Sequence, residues 1–366
     1  MVTMQIVPWE IEEEVDDFFV PDYIVDIGLE VLNQYDLHVH QIEIVTTKPD
    51  KGGAIWKIET NQGPMSFKLL HRRPTRSMFS LGAQEYVVDV KQARVPPIIQ
   101  TKDGKNFVEA GGKLWFVAKW IESLQPVTKD LEGAKQLCFA LGEFHRLTQG
   151  YVPPEKAENA SRIHKWPRNY EKTILKMDWF RTIATLYSEM PASSTIISVV
   201  DQFQEQAKES YERLKQSSYS ELIQYQEKEW GLVHQDYGWS NAQMGENGMW
   251  IIDLDGVSFD IPIRDLRKLI TGTMADLFRW DANWVREMIK SYHEANPISA
   301  ALYDLLMIDL SMPNEFYKNV KEMLYEPEFF LTEETSSMID MIVALDETKW
   351  PVLNEVQNDW KGGVES

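Results

Sequence analysis

The stretch Leu232-Val233-His234-Gln235-Asp236-Tyr237-Gly238-Trp239-Ser240-Asn241 decides how the chain is read. Twelve residues after Asn241, an apolar run ends in Ile251-Ile252-Asp253-Leu254-Asp255. A His-x-Asp, an Asn five residues beyond that Asp, and a strand-terminal Asp follow in order. Each alone has an ordinary explanation: an Asp after an apolar strand usually turns the chain or caps a helix. The ordered set fits phosphoryl transfer. One carboxylate takes or orients an acceptor hydroxyl. An amide oxygen and a second carboxylate hold Mg2+, which prefers oxygen ligands and stays close to phosphates. Positioning and charge neutralisation then carry most of the barrier reduction.

The residues before this stretch alternate between helix and strand patterns. A helical stripe is predicted over 22–35 and a strand over Ile42–Thr46. Ala54–Thr60 and Met65–Leu70 alternate around an Asn61-Gln62-Gly63 turn, as a hairpin does. A helix is predicted over 77–93, before Pro96-Pro97, with short strands near 98–100, 106–109 and 114–120. Beyond Gln125-Pro126 the pattern is helical: 130–149, 168–188, 194–216, 262–274 and 281–294. Strands at Gly231–Val233 and Met249–Leu254 interrupt it. The fold class is therefore α+β and two-lobed. The division expected is an acidic segment at 1–21, a small antiparallel-sheet N-lobe at 22–124, a mainly helical C-lobe at 125–350 carrying the catalytic and metal loops, and a tail at 351–366. The acidic residues Glu10, Glu12, Glu13, Glu14, Asp16 and Asp17 are read as a solvated face.

The order His-x-Asp-x-x-x-x-Asn followed by an Ile-Asp strand resembles the aminoglycoside-phosphotransferase and choline-kinase branch of the protein-kinase-like superfamily. Gln235 departs from the His-Arg-Asp of protein kinases. The continuation Gly256-Val257-Ser258-Phe259-Asp260-Ile261-Pro262-Ile263-Arg264-Asp265-Leu266 resembles the CotS-type spore-coat proteins of endospore-forming bacteria, which share that fold. The resemblance covers about residues 22–345.

It implies a two-lobed protein-kinase-like fold, ATP and Mg2+ as cofactors, and a hydroxyl-bearing acceptor. Asp236 becomes the catalytic carboxylate, with Asn241 and Asp253 as metal ligands. His234 braces the loop, Asp255 is either near the metal or a turn residue, and Asp265 anchors from behind. An upstream strand lysine is implied, and Lys68 fits it. A helix carboxylate should hold that lysine. Glu85 is the candidate, beside an apolar stripe where an unpaired carboxylate is costly; Glu109 or Glu59 is the alternative. The nucleotide loop falls on Pro49-Asp50-Lys51-Gly52-Gly53, which lacks a full Gly-x-Gly-x-x-Gly. The amides of Gly52 and Gly53 suit phosphate, and a plain hairpin turn explains them equally. Adenine is expected against the backbone near Lys119, Trp120 and Ile121, or Trp120 is only a packed aromatic. The loop 71–76 either meets phosphates or a partner, or is solvated. A coat-forming role with no catalysis stands beside the enzyme reading, with other coat proteins as partners.

Composition bounds the rest. The 366 residues carry 37 Lys and Arg against 57 Asp and Glu, a net charge of −20. That balance disfavours a nucleic-acid partner, whose phosphates need a basic face. Cys138 is the single cysteine, so neither a disulfide framework nor a cysteine zinc site can form. No apolar run approaches the roughly 20 residues that span a bilayer, so no membrane association is expected. The cytoplasm is the expected location, with the spore coat added through the resemblance.

Overall fold

The computed structural model describes residues 4–10, 19–225, 227–357 and 359. The chain packs as two compact units. The first comprises residues 1–127, 147–160 and 234–258; the second comprises 128–146, 161–233 and 259–366.

The first unit is built on an antiparallel sheet. Helix α1 (Asp22–Leu32) precedes β1 (Val39–Lys48), β2 (Gly53–Thr60) and β3 (Gly63–Leu69). Helix α2 (Pro74–Glu85) follows, then β4 (Ile98–Ile99), β5 (Val108–Ala110), β6 (Lys113–Lys119) and β7 (Gln125–Pro126). The order is β1-β2-β3-β6-β4, with β5 on β6. Strand alternation sends Met65, Phe67 and Leu69 to one face of β3, where they are buried. There Phe67 and Trp115 stack at 5.2 Å, and Trp56 and Trp115 at 5.8 Å. Such pairs add to the stabilisation that area burial alone supplies. Gly28 of α1 lies against this layer; a Cβ there would stand 3.3 Å from Phe67 and Trp115. The opposite face carries Lys68 and Ser66. Leu81 of α2 packs over that face against Leu70, Leu114, Phe116 and Ala118.

Several expected boundaries move. Helix α1 ends at Leu32, not 35. Helix α2 starts at Pro74, three residues early, because proline suits the first helical position. It ends at Glu85 and passes into a π-helical turn, Tyr86–Val90. The expected strand 249–254 stops at Ile251, since Asp253 turns into the left-handed region with φ 61°. Ile6 and Trp9 join the sheet core, so part of 1–21 is packed. Glu10 is exposed; Glu12, Glu13, Glu14, Asp16 and Asp17 lie outside the described residues. The segment 351–366 does not begin as a tail: the helix Glu333–Val356 takes up its first six residues and buries Val352, Leu353 and Val356.

The largest shift concerns residues 147–160 and 234–258, expected in the helical lobe. Both pack in the unit that holds the sheet. The bonds that hold them there are local. Glu158 pairs with Arg73 at 2.9 Å, and its N–H donates to Thr75. Strand β7 pairs with β9 (Ala242–Gly245), whose hairpin partner is β10 (Gly248–Ile251); β8 (Leu232–Val233) precedes them.

The second unit is mainly helical. Its helices include Trp166–Leu186, Ser193–Gln216, Ile263–Asp276, Ala282–Ala295, Ala300–Ser311 and Glu333–Val356. Phe203 and Phe316 stack at 4.1 Å in its core. Buried Asp309 accepts from Arg264 at 3.0 Å, Arg267 at 2.9 Å and Tyr170 at 2.8 Å. A buried charge needs such partners to be tolerated. Cys138 is fully buried, which pushes its thiol pKa up. Among the described residues no helix is long and apolar enough to cross a membrane.

Candidate phosphotransfer site

The register of the sheet aligns Thr46 with Ile55, Ile55 with Lys68, and Lys68 with Phe116. These four side chains form a row on one face, and all four line a cavity of about 530 Å³. Ser66 and Ala118 extend the lining by one row. Lys119, Trp120 and Ile121 border the cavity, and Asn241, Ile252, Asp253 and Leu254 complete it. Within the first unit, strand alternation and the 241–254 segment thus bring a cation, an amide, a carboxylate and the Lys119–Ile121 segment to one space.

Lys68 Nζ lies 3.2 Å from Asp253 Oδ1. Burial alone would depress the Lys68 ammonium, but Asp255 and then Asp253 outweigh it and raise its pKa above the usual value. Burial works against the Asp253 carboxylate too, yet Lys68 and Lys48 hold it below the ordinary range. Asp255 moves the other way: burial pushes its carboxyl up, Lys68 opposes, and the charge on Asp253 adds to the rise.

Asn241 Nδ2 donates to the Asp236 carbonyl at 2.8 Å and lies 3.4 Å from its Oδ2. Its nitrogen is thus committed to the Asp236 loop, which leaves its Oδ1 free of that bond. Asp236 itself is exposed. His234 is buried, and its Nε2 lies 3.0 Å from the Ile252 carbonyl, tying the loop to the segment between β10 and Asp253. Gln235 has φ 75° and donates to Ser258 Oγ at 3.0 Å. Non-glycine residues in this region are strained, and such strain clusters at functional sites. Asp265 is buried in the second unit, 3.5 Å from His145 Nε2.

The expected residues divide into two groups. Lys68, Asn241, Asp253, Trp120 and Ile121 line the cavity together. Glu85 does not join them. It is exposed, it makes no ion pair among the described residues, and it borders a separate hollow with Val88, Ile98 and Asn106. Gln84, one position earlier, is the α2 side chain in the cavity; its Nε2 donates to the Pro96 carbonyl at 2.7 Å. Neither alternative replaces Glu85: Glu109 is exposed and Glu59 pairs with Lys57 at 2.8 Å. Gly52 and Gly53 do not line the cavity. Gly52 takes a left-handed turn, φ 66°, and a Cβ on Gly53 would meet His71 Cβ at 2.8 Å.

Sequence reasoning left Arg76 in a loop. It sits in the first turn of α2 and donates to the carbonyls of Gly256 (3.2 Å) and Val257 (2.5 Å). This latch holds the turn that follows Asp253. Pro74 at a helix start was the signal for it. Hydrogen bonds from charged donors contribute about 1.5–3 kcal/mol. Arg76→Met is therefore expected to lower unfolding free energy by about that amount in urea denaturation. An unchanged midpoint would contradict the latch.

His71 sits among cations. Burial first, then Lys48, Arg72, Lys51 and Lys113, lower its pKa from 6.5 to about 4. The unfolded chain therefore binds more protons between these values, and stability falls as pH drops from 6.5 towards 4. His71→Asn is expected to flatten that part of the stability–pH curve. An identical slope in wild type and variant would remove the assignment.

No family model matches the chain. Spore coat protein S of Bacillus subtilis (strain 168) is 24% identical over 333 residues, 91% of this chain and 94% of that protein. The crystal structure of an aminoglycoside phosphotransferase from Alicyclobacillus acidocaldarius superposes with a TM-score of 0.74 at 15% identity, over 95% of this chain and 98% of the other. The amicoumacin kinase hAmiN, solved with AMP-PNP, Ca2+ and Ami, superposes with a TM-score of 0.63 at 14% identity, over 94% and 100%.

Proposed function

We propose that this chain, a CotS-type protein with the kinase-like fold of the aminoglycoside phosphotransferases and choline kinases, transfers the γ-phosphate of ATP to a hydroxyl acceptor in association with the spore coat. The observation that carries this reading is the single cavity shared by Lys68, Asn241, Asp253 and the backbone at Lys119–Ile121. The apolar walls Val45, Ile55 and Phe116 suit a purine, whose polar edge would meet that backbone.

The donor set fits magnesium. Asn241 and Asp253 offer hard oxygens from one amide and one carboxylate, and phosphates and water supply the remaining positions. Bound there, Mg2+ would neutralise charge on the transferring phosphoryl group. Lys68 orients the phosphates once its ammonium turns from Asp253 towards them. Asp236 accepts the proton of the acceptor hydroxyl. That oxygen bonds to the γ-phosphorus as the β–γ bridging bond breaks, and ADP leaves. The Asn241–Asp236 hydrogen bonds keep proton acceptor and cation site at a fixed spacing. The test is ADP formation from Mg-ATP, wild type against Asp236→Ala. Equal turnover in both sinks the role given to Asp236.

A second reading is a coat protein that uses the fold for assembly without catalysis. It is favoured by the likeness to spore coat protein S of Bacillus subtilis and by the exposed position of Glu85. Thermal unfolding separates the two. Millimolar Mg-ATP raises the melting temperature through RT ln(1 + [L]/Kd) if nucleotide binds, and leaves it unmoved in a purely structural protein.

A further inference from the structure

The β1–β2 turn end of the sheet unit gathers positive charge, in a chain whose net charge is −20. Lys48 ends β1, Lys51 sits in the turn, Arg72 follows β3, and Lys113 opens β6. Lys113 Nζ binds these segments together, donating to the carbonyls of His71 at 2.7 Å and Lys51 at 3.3 Å. The bare α-carbon of Gly53 lets His71 close in.

Among the described residues Lys48, Arg72 and Lys113 pair with no anion, and Lys113 is already taken up by its two carbonyls. The Lys48 ammonium makes no ion pair or hydrogen bond among the described residues, while Lys51 pairs with Asp50. The Arg72 guanidinium makes no ion pair there either, and its Nε is buried without a hydrogen-bond partner. Leaving a buried charged donor unmet is costly. Position explains what could meet it. Lys48 lies two residues beyond Thr46 on the same face of β1, and Thr46 lines the cavity. The field of Lys48 reaches Asp253 and Asp255, and that of Arg72 reaches Asp255. Lys48 thus lies just past Thr46 and Arg72 four residues past Lys68, both beside the cavity and outside its lining.

The turn itself offers little to phosphate. Pro49 has no N–H. The Gly52 N–H is bonded to the Pro49 carbonyl at 3.1 Å, and Gly53 opens β2 in register with Lys48. We propose that Lys48 and Arg72 form a side-chain clamp for the β- and γ-phosphates, in place of a glycine-loop cradle. This rests on the nucleotide reading above and names the residues that make it work. A guanidinium fork fits phosphate oxygens in pairs, and a lysine adds a mobile point charge.

Dissociation constants for ATP and AMP, measured on the whole chain, test the clamp. Lys48→Met and Arg72→Met are each expected to weaken ATP binding about ten- to a hundredfold, the loss of one charge-assisted contact. AMP, which lacks both clamped phosphates, should bind as in wild type. Lys48→Arg and Arg72→Lys should recover part of the ATP affinity. If wild type binds ATP and both Met variants bind it equally well, the clamp is wrong and the nucleotide site stands. If ATP and AMP weaken together, the residues hold the fold rather than the phosphates, and the clamp is again wrong. If wild type binds neither nucleotide, the nucleotide reading itself fails.

Discussion

Asp236→Ala is expected to lower ATP turnover by about 10²–10⁴-fold, the usual contribution of a positioned general base. The loss should fall on kcat. Asp236 is exposed and outside the cavity lining, so a nucleotide held in that cavity is expected to bind without its help. The KM for ATP should therefore stay within about twofold, the pattern of an interaction made only in the transition state. Asp236→Asn sharpens this. It keeps the size of the side chain and its place beside Asn241 but cannot accept the proton. Equal loss in both variants points to proton acceptance. Full activity in Asp236→Asn, with loss only in Ala, would make the residue a spacer instead. Steady-state kinetics at saturating ATP decide between these.

Asp253→Asn is the second large effect. It removes the carboxylate offered to the cation and the partner of Lys68 at 3.2 Å. A metal contributes several kcal/mol of charge stabilisation, so turnover should fall about 10²–10³-fold. Unlike the change at Asp236, this one should raise the Mg2+ concentration needed for half-maximal rate. It should also move Lys68. Its raised pKa depends on Asp255 and Asp253 outweighing burial. With one of the two neutralised, burial gains ground and the lysine pKa falls. Less of the ammonium is then charged at alkaline pH, so the residual activity should decline at lower pH than in wild type. An unchanged Mg2+ requirement together with an unchanged alkaline limb would remove both roles.

The stretch proposed to be catalytic stands out in the sequence because its information is local. His234, Asp236 and Asn241 share one loop, and Asp253 follows the short hairpin that comes next. Lys68 was legible for a related reason: strand alternation alone assigns it to the face opposite Phe67. Glu85 was misassigned through helix phase. Starting α2 at 77 and running it to 93 hides both the early start at Pro74 and the π-helical turn after Glu85. One position is about 100° of rotation, which is why Gln84 and not Glu85 faces the cavity. The placement of 147–160 could not be read, because Arg73–Glu158 and the approach of Pro154 to Gly82 join residues far apart in sequence. Lys48 and Arg72 carry no motif either. Their meaning depends on three segments that Lys113 brings together. The acceptor leaves no signature of this kind.

Calorimetric titration of Mg-ATP into the whole chain tests the central claim most directly, because every role assigned to the cavity requires it to hold that ligand. The expected result is saturable binding at one site, weakened in Lys68→Met and in Asp253→Asn. No heat of binding up to millimolar Mg-ATP, with no rise in melting temperature, would contradict it.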